Sequence, residues 1–120
     1  MSAEVLARSP VEAAQGQLEA YNRRDLEAFL SFYADDVKVY RLPATEPAMV
    51  GKAQMAEMYG TQRFNLPALH ADVVNRMVLG NKVVDHERVS GVRPEPFEAV
   101  AIYEVAADGL IQTVWFLSPA

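Results

Sequence analysis

The sequence contains no cysteine. That absence excludes disulfide frameworks, thiol nucleophiles and cysteine-bound zinc, while leaving the compartment open. Histidine is nearly as scarce: His70 and His86 are the only two in 120 residues. A metal centre has little to draw on, and neither a metal nor another cofactor is expected. No run approaches the roughly 20 apolar residues that a membrane span requires. Positive charge is also thin, since 11 Lys and Arg against 16 Asp and Glu give a net charge of −5, and Arg23-Arg24 is the one adjacent basic pair. Nucleic acid and anionic membrane surfaces are therefore not expected partners. The opening residues include Glu4 and lack an apolar run behind a basic start, which predicts no secretory leader and, by default, a cytoplasmic location.

What is present is the composition of one folded domain. A chain of 120 residues, 51% hydrophobic and 22% charged, can bury a core without disulfides or a structural metal. A single domain is expected, its ordered body running over about residues 10–117.

Ser9-Pro10-Val11-Glu12 sets a hydroxyl at the N-cap, proline at the first helical position and glutamate three residues after the cap, so a first helix starts there. Val11, Ala14, Leu18 and Tyr21 recur as an apolar stripe, although Gly16 inside it costs roughly 1 kcal/mol relative to alanine. Asn22-Arg23-Arg24 breaks the stripe, and Asp25 caps a second, shorter helix carrying Leu26, Phe29, Leu30 and Tyr33 on one side. After Asp35-Asp36 the period changes to two, and Val37, Val39 and Arg41 alternate with Lys38, Tyr40 and Leu42 as in a strand. Pro43 and Pro47 mark a loop. Gly51 then precedes a third helix, with Met55, Met58 and Tyr59 on one face, that ends near Gly60. From about Leu69 four strand runs follow, over 69–79, 82–93, 97–106 and 110–117, separated by Gly80-Asn81, Pro94 to Pro96 and Asp108-Gly109. The predicted class is α+β: three N-terminal helices packed on a strongly curved antiparallel sheet that encloses a pocket.

The stretch from Asp25-Leu26-Glu27-Ala28-Phe29 through Phe32-Tyr33-Ala34-Asp35-Asp36-Val37, then Gly51-Lys52-Ala53-Gln54-Met55, then Ile102-Tyr103-Glu104-Val105 with Asp108-Gly109-Leu110-Ile111, resembles the nuclear transport factor 2-like superfamily. That group holds ketosteroid isomerases, polyketide cyclases and limonene epoxide hydrolases. The resemblance covers roughly residues 10–117. It implies a cone-shaped, cystatin-like roll with a deep internal pocket, commonly assembled as a homodimer. Function does not follow from fold alone. The ketosteroid isomerases use an aspartate base and an oxyanion hole of tyrosine and protonated aspartate. On this chain the resemblance puts Arg41, Gln17 and Ala101 at those three places, whereas Tyr33 and Tyr59 match the supporting tyrosines. Among the epoxide hydrolases the likeness places an arginine on Arg88 but Ser90 and Phe116 where two aspartates belong. The cyclases rely on an aspartate and a histidine, for which His86 is the nearby candidate.

A two-residue turn at Gly80-Asn81 pairs the flanking strands with Arg76 opposite Asp85, Asn75 opposite His86 and Val74 opposite Glu87. One face then carries Asp72, Arg76, Asp85 and Glu87 among Val74, Val78, Val83 and Val89. The other carries Asn75, His86 and Arg88 among Ala71, Val73, Met77, Leu79 and Val84. A single bulge would reassign them, and the parity stays open. On the first face Asp85 and Glu87 present two carboxylates to one enclosed volume, where burial and like charge raise one pKa and create an acid/base pair. The structural alternative is an ion pair of Arg76 with Asp85. On the second face His86 becomes a base near neutral pH, oriented by Asn75, unless it is a surface or interface histidine. Arg41, aligned with Val37 and Val39, is expected to be buried and to need an anionic partner, from the protein or from a ligand. The candidate catalytic residues are therefore Asp85, His86 and Glu87. The candidate binding residues are Tyr33, Arg41, Tyr59, Arg76 and Tyr103, each tyrosine having a core aromatic as its alternative role.

Two functions follow as expectations. One is a cofactor-free acid/base enzyme of isomerase, dehydratase or cyclase type acting on a small apolar substrate. The other is a ligand-binding or dimeric interaction module that performs no chemistry and holds a small apolar or weakly acidic molecule.

Overall fold

The computed structural model describes residues 8–119. The segment that predicts no leader lies, up to residue 7, outside them. The first helix, α1 (Pro10–Arg23), opens on the capping box read from its sequence. The Glu12 N–H donates to Ser9 Oγ at 3.1 Å and the Ser9 N–H to Glu12 Oε1 at 2.8 Å. Its buried stripe runs through Ala13, Ala14, Gln17, Leu18 and Ala20. Val11, expected in that stripe, is 38% exposed, because the first turn precedes the stretch of α1 that covers the sheet. Arg24 closes the helix in the left-handed region at φ 57°, and Asp25 caps α2 (Leu26–Leu30) by accepting from the Ala28 N–H.

The strands are β1 (Tyr33–Arg41), β2 (Met49–Val50), β3 (His70–Leu79), β4 (Lys82–Ser90), β5 (Phe97–Val105) and β6 (Ile111–Leu117), with α3 (Lys52–Gln62) between β2 and β3. They form one six-stranded sheet in the order β2-β1-β6-β5-β4-β3. The three helices pack on it, as the α+β class requires. Its pairing is mixed rather than wholly antiparallel, since β1 and β6 run parallel. The chain between them contains α3 and four strands, ample for the crossover that parallel neighbours need.

The β3–β4 register carries the site. Arg76 pairs with Asp85 and Asn75 with His86, as the turn predicts, but a bulge between Val73 and Asn75 then sets Val73 opposite Glu87. Below that bulge the side chains of β3 change face: Ala71 is buried, while Asp72 and Val74 are exposed. On β4 the parity is unbroken, so Val83, Asp85, Glu87 and Val89 all face inward. Val83 joins a core built from Phe29, Tyr33, Met55, Tyr59, Tyr103, Ile111 and Val114, while Val89 packs with Leu18 and Ala71.

Candidate functional site

Between α1, α3 and the inner face of the sheet lies a cavity of about 140 Å³. Leu18, Phe29, Met58, Val89, Phe97 and Phe116 supply apolar wall. Its polar lining begins with Gln17, which the helical period sets on the buried stripe of α1 three residues beyond Ala14. The Tyr33 hydroxyl donates to Gln17 Oε1 at 2.9 Å. Gln17 Nε2 donates to the Ala14 carbonyl at 3.0 Å and to the Tyr103 hydroxyl oxygen at 3.1 Å. Tyr103 in turn makes a long contact, 3.5 Å, to Glu87 Oε2. The amide thus fixes two tyrosines, and one of them addresses the carboxylate.

Glu87 is 7% exposed and is the one acidic residue among those lining the cavity. Its pKa is pushed up to about 7, first by burial and then by the negative charge of Asp85; the Tyr103 hydrogen bond and Arg76 oppose the rise. A carboxyl group there holds and releases a proton near neutral pH. Burial also raises the pKa values of Tyr33, Tyr59 and Tyr103, and pushes Tyr21 up to about 12. All four hydroxyls remain donors at ordinary pH. Tyr59 alone of the three buried tyrosines has no protein acceptor among the described residues, which leaves its O–H for a ligand oxygen.

Asp85 sits two residues before Glu87 and is fully buried, yet it does not line the cavity. Arg76 holds it bidentately, Nε to Oδ1 at 2.7 Å and Nη2 to Oδ2 at 3.0 Å, while Nη1 reaches Gln15 Oε1 at 3.0 Å. This is the structural ion pair that the sequence offered as the alternative to a paired acid/base. Arg76 accordingly lies away from the cavity. His86 lies on the outer face of the sheet, where it pairs with Glu98. The unbroken parity of β4 sends residue 86 outward when 85 and 87 point inward. Tyr33, Tyr59 and Tyr103 all reach the cavity, and so does Arg41. Arg41 is exposed at the mouth, not buried, because it is the last residue of β1 and follows the buried Val37 and Val39 beyond the core.

Two further arginines, Arg63 and Arg93, and the tyrosine Tyr21 line the cavity without having been expected there. Arg63 follows α3 and Arg93 follows β4, in segments without a side-chain period. Gln17 left a readable sign, a polar residue inside an apolar helical stripe. Among the described residues no group of three His, Cys, Asp or Glu side chains converges to hold a metal ion, and no helix is long and apolar enough to cross a membrane.

Known structures share this architecture. An uncharacterised cystatin-fold protein of Novosphingobium aromaticivorans is 25% identical with a TM-score of 0.81, the match covering 92% of this chain and 98% of that one. The Δ5-3-ketosteroid isomerase of a Mycobacterium species is 22% identical with a TM-score of 0.77, over 91% and 92% of the two chains. A computationally designed 17-OHP binder is 16% identical with a TM-score of 0.79, over 91% of each chain. No curated protein matches the sequence. The model of the SnoaL-like domain matches residues 14–114, a span that includes every cavity residue except Phe116 and Ser118, and the chain belongs to that family, within the nuclear transport factor 2-like superfamily.

Proposed function

We propose that this protein is a cofactor-free acid/base catalyst of isomerase, dehydratase or cyclase type, with Glu87 as the proton carrier for a small, largely apolar substrate. The observation that carries this reading is a single buried carboxyl group, with a pKa of about 7, in a cavity of mixed apolar and polar lining. In its ionised form Glu87 takes a proton from a carbon beside a substrate carbonyl. The electron pair moves onto the carbonyl oxygen, where the Tyr59 O–H donates a hydrogen bond. Glu87 then returns the proton to another atom of the same molecule, so that nothing is consumed. Asp85 and Arg76 act through Glu87, their charges moving its pKa in opposite directions.

Isomerisation of cyclohex-3-enone to cyclohex-2-enone is a fitting test, since a single six-membered ring suits the cavity. Wild-type protein is expected to accelerate it, and Glu87→Gln to lose at least about 100-fold, the low end of what a positioned acid/base contributes. Equal rates in the two proteins reject Glu87. Asp85→Asn is expected to retain turnover with its pH profile displaced to lower pH, because one of the causes raising the Glu87 pKa has been removed.

A second reading is binding without chemistry. It is favoured by the internal commitment of Gln17, Tyr33 and Tyr103, which leaves Tyr59 as the one buried hydroxyl free to stabilise developing charge. The designed 17-OHP binder shares the fold, in keeping with an architecture that supports binding alone. Saturable binding of cyclohex-2-enone with no turnover of its isomer selects this second reading.

A further inference from the structure

We infer that the mouth of the cavity is a carboxylate clamp, in which Arg41, Arg63 and Arg93 receive the anionic head of a small acid whose single-ring apolar body enters the cavity. The inference rests on the small-molecule reading above and names the class of ligand. In a chain of net charge −5, with 16 acidic residues, one acidic residue and three arginines line this cavity. The arginines come from separate places, the end of β1, the residue after α3 and the loop after β4, so no shared local pattern explains their convergence.

Only three Lys or Arg side chains among the described residues are in ion pairs, none of them at this cavity. Arg76, Lys52 and Lys82 are matched to Asp85, Asp35 and Glu104. None of the three mouth arginines is in an ion pair among the described residues. Arg63 gives Nη1 to the Gln62 carbonyl at 2.9 Å. The Arg93 guanidinium lies 4.2 Å over the centre of the Phe97 ring. Stacking on an aromatic face orients a guanidinium while leaving its N–H edge available for a carboxylate. Arg41 and Arg93 are exposed, so both can meet a ligand arriving from solvent.

The cavity sets the other end of the ligand. At about 140 Å³ it is close to the roughly 150 Å³ of an engineered apolar cavity known to take up benzene. One ring fills it, and a polycyclic body does not fit within it. A head group held by the arginines outside and a ring among Leu18, Phe29, Val89 and Phe116 inside describe an aryl or cycloalkyl carboxylate of short chain. An acid inserted the other way would bring its charge to Glu87, the site's one carboxyl group, and leave the arginines unmatched.

The test is isothermal titration calorimetry of the full chain with 3-phenylpropanoate and with 3-phenylpropanamide, which share a body and differ in charge. At pH 7.5 and low salt the acid is expected to bind at least tenfold more tightly than the amide, and the preference to shrink at high salt, because exposed charges are screened. Arg41→Gln, Arg63→Gln and Arg93→Gln are each expected to weaken the acid several-fold and to leave the amide's affinity within twofold. Equal affinities for acid and amide overturn the clamp. So does a preference that survives in the triple variant, or millimolar titrations in which neither compound binds. Turnover of neutral cyclohex-3-enone by the wild-type protein is read separately. Turnover without acid preference rejects the clamp alone, and acid preference without turnover rejects the catalytic reading while keeping the clamp.

Discussion

Two carboxylates on the inner face of β4 meet opposite electrostatic surroundings although they are two residues apart. Asp85 is fully buried and receives two hydrogen bonds from Arg76. Removing one partner of such a pair strands a buried charge, so Arg76→Met is expected to cost about 3–5 kcal/mol in urea unfolding. Combining it with Asp85→Leu should restore much of that loss, and strict additivity of the two changes would argue against coupling. Glu87 has no such partner, and its folded-state pKa of about 7 lies above the ordinary glutamate value of 4.5. The folded protein therefore binds this proton more tightly than the unfolded chain. The resulting stabilisation is complete below pH 4.5 and is lost as pH rises through 7. It amounts to about 3 kcal/mol across that window. Glu87→Gln keeps a neutral acceptor for Tyr103, so its stability relative to wild type should rise between pH 5 and pH 8 by up to about 3 kcal/mol. A difference between the two proteins that stays flat over this range removes the raised pKa from the account.

Helix α1 shows how an element answers to its neighbours. Propensity alone predicts that Gly16→Ala stabilises a helix by about 1 kcal/mol. A methyl group at that position runs into the Phe32 ring, and Phe32 packs against the main core. Overpacking of this kind costs about 1–3 kcal/mol, so the variant is expected to melt below wild type, and a higher melting temperature would show that Phe32 yields freely. The helix starts at the Ser9 box and the Asp25 cap, and the hairpin turn at Gly80-Asn81, were legible because each signal lies within a few residues. What escaped was set by distant contacts. β1 begins at Tyr33, before its alternation shows, since its first pairing is with Ile111 of β6. The two-residue β2 has too few side chains to reveal a period. α3 continues past Gly60 to Gln62, and β4 stops at Ser90 rather than 93. The bulge at β3 separated the two readings of the 69–93 hairpin, and no residue type marks it. Within the site, Tyr33 and Tyr59 were readable from family likeness and Arg41 from the alternation of β1, though as a buried residue, whereas Glu87 lay on one of two hairpin faces between which the sequence left the choice open. Arg63 and Arg93 were not legible, because loops place side chains by tertiary contact.

At the scale of the whole molecule the sheet leaves one long edge open. β3 is the last strand in the order and pairs only with β4. Four apolar side chains on it are well exposed: Val74 at 59%, Met77 at 60%, Val78 at 49% and Leu79 at 73%. Isolated exposed apolar residues are ordinary, but Met77 and Leu79 share one face of this edge strand, and with Val74 and Val78 beside them the edge invites a partner strand or sheet. The homodimer expected from the family likeness would cover it with a second copy of the same patch, since a two-fold interface is self-complementary. Met77→Lys with Leu79→Lys brings four like charges together across such an interface while burying none in the monomer. The wild-type chain is therefore expected to sediment as a dimer at micromolar concentration and the double variant as a monomer of unchanged melting temperature. A monomeric wild type rejects the dimer, and a double variant that still dimerises assigns the contact to another face, such as the one carrying Trp115 and the exposed Leu117.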